Sequence, residues 1–157
     1  MKRRLLPLLL VLACLLCACA QGTSETIQIY RVLTVQNRTN GELVRAESVK
    51  IRADADPIQA TIDAFNAPVQ DSALENPVPE YAALKSGTLE NGTLTLEALS
   101  GYRVLTGMEL AQANACVVLT FSALPDVARV TIRSGDWVLC SAMTPDSLVL
   151  TDMSTGD

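Results

Sequence analysis

The chain has 157 residues, 49% of them hydrophobic, with twelve basic against seventeen acidic side chains and a formal charge of −5. That length gives one domain with one core, and an acidic balance without a basic cluster excludes the footprint that nucleic acid requires. Histidine is absent from the sequence, which removes Ser-His-Asp and Cys-His catalysis, His-ligated zinc and the usual general base near neutral pH.

Met1-Lys2-Arg3-Arg4 precedes an apolar run from Leu5 to Leu16. Twelve residues at helical rise span about 18 Å, short of the roughly 30 Å of a bilayer core. A charged start, a short apolar stretch and small residues at its end describe a secretory signal over residues 1–18. Leu16-Cys17-Ala18-Cys19 then resembles the bacterial lipobox, where an aliphatic residue, a small residue and Ala or Gly precede an acceptor cysteine. The resemblance implies that the Cys19 thiol takes a diacylglyceryl group and that the chain is cut just before it, although Cys17 stands in the small-residue position. Val11-Leu12-Ala13-Cys14 is a poorer frame because Leu12 is bulky, and Cys17 itself follows two leucines. A plain secretory signal with incidental cysteines is the alternative. Cleavage before Cys19 removes Lys2, Arg3 and Arg4, leaving 139 residues with nine basic against seventeen acidic ones, a balance of −8. No polybasic segment then favours anionic lipid, so the acyl chains would hold the protein at a membrane.

Residues 19–25 are small and polar, a flexible tether. Thr26 to Val35 is rich in Ile, Val, Thr and Tyr and reads as a strand, with Ile27, Ile29 and Arg31 on one face. Asn37 to Gly41 supplies a turn, and Glu42 to Ile51 returns as a second strand. Asp56-Pro57 gives an N-cap and a proline at the first helical position, opening an amphipathic helix through Ile58, Ile62 and Phe65. Pro68 ends it, and a surface loop with Pro77 and Pro79 follows. Tyr81 to Leu89 is expected as a strand, joined through Asn91-Gly92 to a run in which Leu94 and Leu96 alternate with Thr95 and Glu97. A second helix begins at Thr106 or Gly107 and carries Leu110, Ala113, Val117 and Phe121 on one stripe. Val127 to Arg133 is a strand, Ser134-Gly135-Asp136 turns into Trp137 to Cys140, and a short strand at 148–150 precedes a polar tail, 153–157. The order ββα–ββ–α–ββ predicts a small α+β domain over 26–152, a mixed sheet of five or six strands with two helices packed on it.

Three stretches carry a family likeness: "IYRV" at 29–32, "SGTLENGTLTLEAL" at 86–99, and "TFSALPDVARVTIRSGD" at 120–136, where a helix runs into a strand. Together they resemble the GerMN domain of sporulation and germination lipoproteins. Members show a helix ending in Leu-Thr-x-φ, then a Pro-Gly-Val-x-x-Val-x-φ strand and a closing Gly turn. Leu119-Thr120-Phe121, Pro125-Asp126-Val127, Val130, Ile132 and Gly135 stand at those places, with Asp126 for the usual glycine; Asp also turns the chain. The likeness spans residues 26–135. It departs from the pattern in the loop after the first helix and in Trp137 to Leu150, which extend past the usual end. Some members carry tandem copies; this chain has room for one. The resemblance implies a role in spore formation or germination, helping to assemble or stabilise envelope protein complexes.

The candidate sites are few. Asp54 and Asp56 are a carboxylate pair in principle suited to acid–base work, but both precede a helix, where anions cap and offset the dipole. No nucleophile–base pair is visible, so no enzyme activity, cofactor or metal is expected. Cys116 and Cys140 are too far apart in sequence for a C-x-x-C site. They read either as a disulfide of an exported chain or as two buried thiols. Asn37-Arg38-Thr39 and Asn91-Gly92-Thr93 fit the glycosylation pattern but read as turns. Trp137, the only tryptophan, is expected in the core, and Tyr30 and Tyr81 as packing residues with solvated hydroxyls. The sequence thus predicts a lipid-anchored binding protein at the outer face of a bacterial cell membrane, held through Cys19. Its partner would be an envelope protein met by edge strands and acidic surface. A glycan-binding wall module is the alternative.

Overall fold

A computed structural model describes residues 23–39 and 41–148. The signal segment, Cys19, most of the tether, residues 149–150 of the expected last strand and the polar tail lie outside the described residues. Among those described, no helix is long and apolar enough to cross a membrane.

Strand β1 (Ser24–Leu33) pairs antiparallel with β2 (Val44–Arg52), from Ser24 opposite Arg52 to Val32 opposite Val44. Helix α1 (Pro57–Asn66) starts as the sequence requires: the Asp56 carboxylate accepts from the Gln59 N–H at 2.7 Å, and Pro57 sits where no donor is needed. Its buried face carries Ile62 and Phe65. The loop then lays a two-residue strand, β3 (Leu74–Glu75), along the second edge of β1. Pro77 and Pro79 follow at once; lacking N–H groups they stop that ladder from growing. The chain therefore leaves for a second sheet. The α+β class holds, but the strands divide into two sheets, β2-β1-β3 and β4-β5-β6-β7.

Pro79 also caps a 3-10 turn, Glu80–Ala82, so the strand expected from Tyr81 begins later, as β4 (Leu84–Glu90). Its hairpin to β5 (Thr93–Ala98) turns at Asn91 and Gly92, with φ of 49° and 75°. Two left-handed residues make the primed turn that matches strand twist. A 3-10 turn at Ser100–Val104 leads to α2 (Gly107–Phe121), which crosses back so that β6 (Arg129–Ser134) lies parallel to β5. β7 (Trp137–Met143) closes the sheet antiparallel to β6, and Pro145–Ser147 forms a further 3-10 turn.

One core joins both sheets. α2 packs on β1 and β6, and α1 on β1, β2 and β4. Phe65 and Phe121 meet with ring centroids 5.9 Å apart, amid Ile29, Leu94, Leu96, Val117 and Ile132, all fully buried. The Thr120 hydroxyl accepts the Tyr30 N–H at 2.9 Å, satisfying a β1 donor that β3 is too short to reach.

Candidate functional site

The two aspartates ahead of α1 are engaged in structure. Asp54 is bridged by Arg52 at 2.6 Å, a contact that holds its carboxyl below the usual range, and Asp56 caps the helix. Neither faces the other as an acid–base pair through any hydrogen bond.

Cys116 and Cys140 are buried free thiols. Burial pushes the Cys116 thiol up to about 12 from its ordinary 9.0, and Cys140 rises for the same reason. Tyr102, also buried, rises by desolvation, and its hydroxyl donates to Asn114 Oδ1 at 2.9 Å. Groups that keep their protons longer in the folded chain support it below their ordinary pKa and cease to do so as the pH rises toward their folded value. Thermal stability is therefore expected to fall between pH 9.0 and about 12, read by circular dichroism melts, and Cys116→Val should flatten that fall.

A buried cation organises the first sheet. Arg31, which alternation places between Ile29 and Leu33, is 1% exposed, and all five of its donors are used. Nε bonds Glu47 Oε2 at 3.1 Å. Nη1 bonds the Phe65 carbonyl at 2.6 Å and Asn76 Oδ1 at 2.7 Å. Nη2 reaches the carbonyls of Ala64 at 2.9 Å and Ala67 at 3.4 Å. Three of those acceptors lie at the C-terminal end of α1, where carbonyls are unpaired and the dipole is negative. One side chain thus clips β1, β2, α1 and the Pro-rich loop together, and no donor remains for a ligand. The sequence hint was a lone cation at an inward strand position.

The surface offers a different kind of site. Trp137, expected in the core, is 60% exposed at the β6–β7 turn, opposite Ser134. Its ring is covered by the Arg103 guanidinium, 4.7 Å from the centroid, a cation–π contact. Tyr81, expected to pack, is 58% exposed. Its ring lies so close over Gly101 that a Cβ there would sit 2.3 Å from Cδ2. Tyr30, by contrast, is half-buried against the core. Leu99, Val104, Met108 and Val138 are exposed as well. Three segments bring Tyr81, Leu99, Val104 and Trp137 to one end of the second sheet: Glu80–Ala82, Leu99–Val104 and the start of β7. The Leu99 N–H bonds the Ala83 carbonyl at 2.9 Å, tying the first segment to the second, and the Arg103–Trp137 contact ties the second to the third. Sequence reading missed this grouping, since residues 99–108 look like ordinary apolar chain and their exposure depends on two short 3-10 turns.

The family model for Germane, described as sporulation and spore germination, matches residues 28–136. The chain belongs to the Germane family. The first GerMN domain of the sporulation protein GerM from Bacillus subtilis has a similar fold, with a TM-score of 0.56 and 13% identity over 81% of this chain and 97% of that one. The tandem GerMN domains of the same protein give a TM-score of 0.55 at 15% identity over 74% of this chain. This chain spans 41% of that tandem structure. No curated protein matches the sequence. The Germane match stops at residue 136, one position before Trp137, so β7 and the exposed tryptophan lie outside the matched residues.

Proposed function

We propose that this Germane-family chain is a non-catalytic, lipid-anchored protein of the bacterial cell envelope that binds another protein through its GerMN domain, in sporulation or germination. One observation carries the reading. Among the described residues, seven large apolar side chains are exposed, and four of them, Tyr81, Leu99, Val104 and Trp137, lie in or against the 3-10 turn at Ser100–Val104. Trp, Tyr and Arg are the side chains that anchor protein interfaces, and an apolar cluster with polar surroundings marks an interaction surface. The anchor would be the acyl group on Cys19, holding the domain at the outer face of the membrane on a tether of few residues.

Labelled palmitate is expected to enter the wild-type chain and not Cys19→Ser; continued labelling moves the acceptor to Cys14, and no labelling in either removes the anchor from the reading. Exposed Trp137 and Tyr81 are also suited to stacking on sugar rings, which favours the wall as the second reading. Co-sedimentation with purified, protein-free peptidoglycan separates the two: a protein-binding domain stays in the supernatant, and a wall module pellets.

A further inference from the structure

We infer that the free edge of β2 receives an extended acidic segment of a partner protein as an added strand. This rests on the reading of the chain as a protein-binding module and names a second contact, sharing no residue with the Trp137 surface.

The ladder shows which backbone groups are open. The Leu33 N–H donates to the Leu43 carbonyl, and the Ala53 N–H to the Thr23 carbonyl, both at 2.9 Å. Those contacts flank β2 at its two ends, so the odd-numbered residues point their backbone at β1. Antiparallel pairing alternates; Val44, Ala46, Ser48, Lys50 and Arg52 therefore turn N–H and C=O outward, where no strand pairs among the described residues. Other edges are blunted. β3 has two residues. β4 shifts register between Leu84 and Ser86. β7 shifts twice against β6 and holds Ala142 at φ 48°. Such irregularities discourage strand addition, whereas β2 keeps an unbroken register over its whole length.

A groove of about 380 Å³ runs beside this edge, between Glu47–Lys50 and Ala64, Ala67, Pro68 and Gln70. It gives room for side chains of an added strand on the inner face. Charge selects the occupant. Glu47 is turned inward onto Arg31, leaving Arg45, Lys50 and Arg52 exposed on the strand. Arg45 and Arg52 bond Glu42 and Asp54 at its ends, while Lys50, lining the groove, has no ion-pair partner among the described residues. The one unpaired charge on this edge among the described residues is thus a cation on an acidic body, and it complements a carboxylate. A second copy would bring its own Pro68–Gln70 loop to the same seam, which disfavours self-pairing.

The test uses the full-length chain in detergent and two fluorescent peptides matching β2's nine residues in length, one alternating Val with Glu, the other Val with Lys. The Glu peptide is expected to bind at least about tenfold tighter and to slow amide exchange at Ala46, Ser48 and Lys50. Ser48→Pro, which deletes an outward N–H and leaves the β1 ladder intact, should weaken it by a similar factor, and Trp137→Ala should leave it unchanged. Should Ser48→Pro misfold, N-methylation of the Glu peptide must weaken binding instead. Equal binding of the two peptides, no binding, or protection elsewhere than β2 overturns the inference. So does slowed exchange at Ser48 that grows with protein concentration alone, which makes the occupant a second copy. Because the readout is on β2, its failure leaves the Trp137 surface standing.

Discussion

Arg31→Met is expected to lower the stability of the domain by about 3–5 kcal/mol, the usual cost of removing one member of a buried ion pair. The substitution keeps much of the stem's bulk but deletes every donor. The Glu47 carboxylate, whose side chain is 13% exposed, loses its cation, and the carbonyls of Ala64, Phe65 and Ala67 lose their partner. Against the ~5–15 kcal/mol that holds a typical domain together, such a loss brings the chain close to unfolding at growth temperature. Lysine should not rescue it, because three donors on a point charge cannot span acceptors arranged around a planar fork. Arg31→Met/Glu47→Leu should recover part of the loss, since no uncompensated carboxylate then remains. Urea unfolding of the four proteins measures this. A loss below about 1 kcal/mol for Arg31→Met would place the pair among the marginal surface bridges and remove the clip from the account of the fold.

Gly101→Ala is expected to cost about 1–3 kcal/mol, the range for forcing atoms into filled space, and to disturb the exposed surface at the same time. The added Cβ would lie 2.2 Å from the Tyr81 carbonyl oxygen and 2.8 Å from the carbonyl carbon. Those are backbone atoms of a turn tied to its neighbour by the bond from Leu99 to Ala83, so relief requires the two 3-10 turns to separate. Arg103 sits two residues on and would move with them, leaving the Trp137 ring. Because Trp137 is the only tryptophan, its emission reports that movement directly. Gly87→Ala is the control: its Cβ would meet Ile58 Cγ2 at 2.7 Å and Leu96 Cδ2 at 3.0 Å, side-chain atoms that belong to neither 3-10 turn. A lowered melting temperature with altered emission for Gly101→Ala, and unaltered emission for Gly87→Ala, is the expected pair of results; unaltered emission in both would mean that the turn does not position the surface.

Much of the fold was legible because its signals are local. Asp56-Pro57 opens a helix, Asn91-Gly92 makes a primed turn, and the stripe of Ala113, Val117 and Phe121 is buried as its spacing requires. The division into two sheets was not legible. It follows from a two-residue strand and two prolines, features too short to carry a period. Arg31 was readable as an inward position in β1, but its role depends on carbonyls more than thirty residues away. Trp137 was misplaced because composition says that a lone tryptophan belongs in a core, while its exposure is decided by its place at the β6–β7 turn, where its ring meets Arg103 of a distant segment. The exposed surface was the least legible part. It is assembled from three segments, and no stretch of sequence contains it.

Binding through the Trp137 surface is tested by partner retention on the full-length chain, solubilised from native membranes under mild detergent, compared with Trp137→Ala and Arg103→Ala. A defined envelope protein is expected to co-purify with the wild type and to be lost from both variants, while their melting temperatures stay at the wild-type value. Undiminished retention by both variants, with the fold intact, would contradict it.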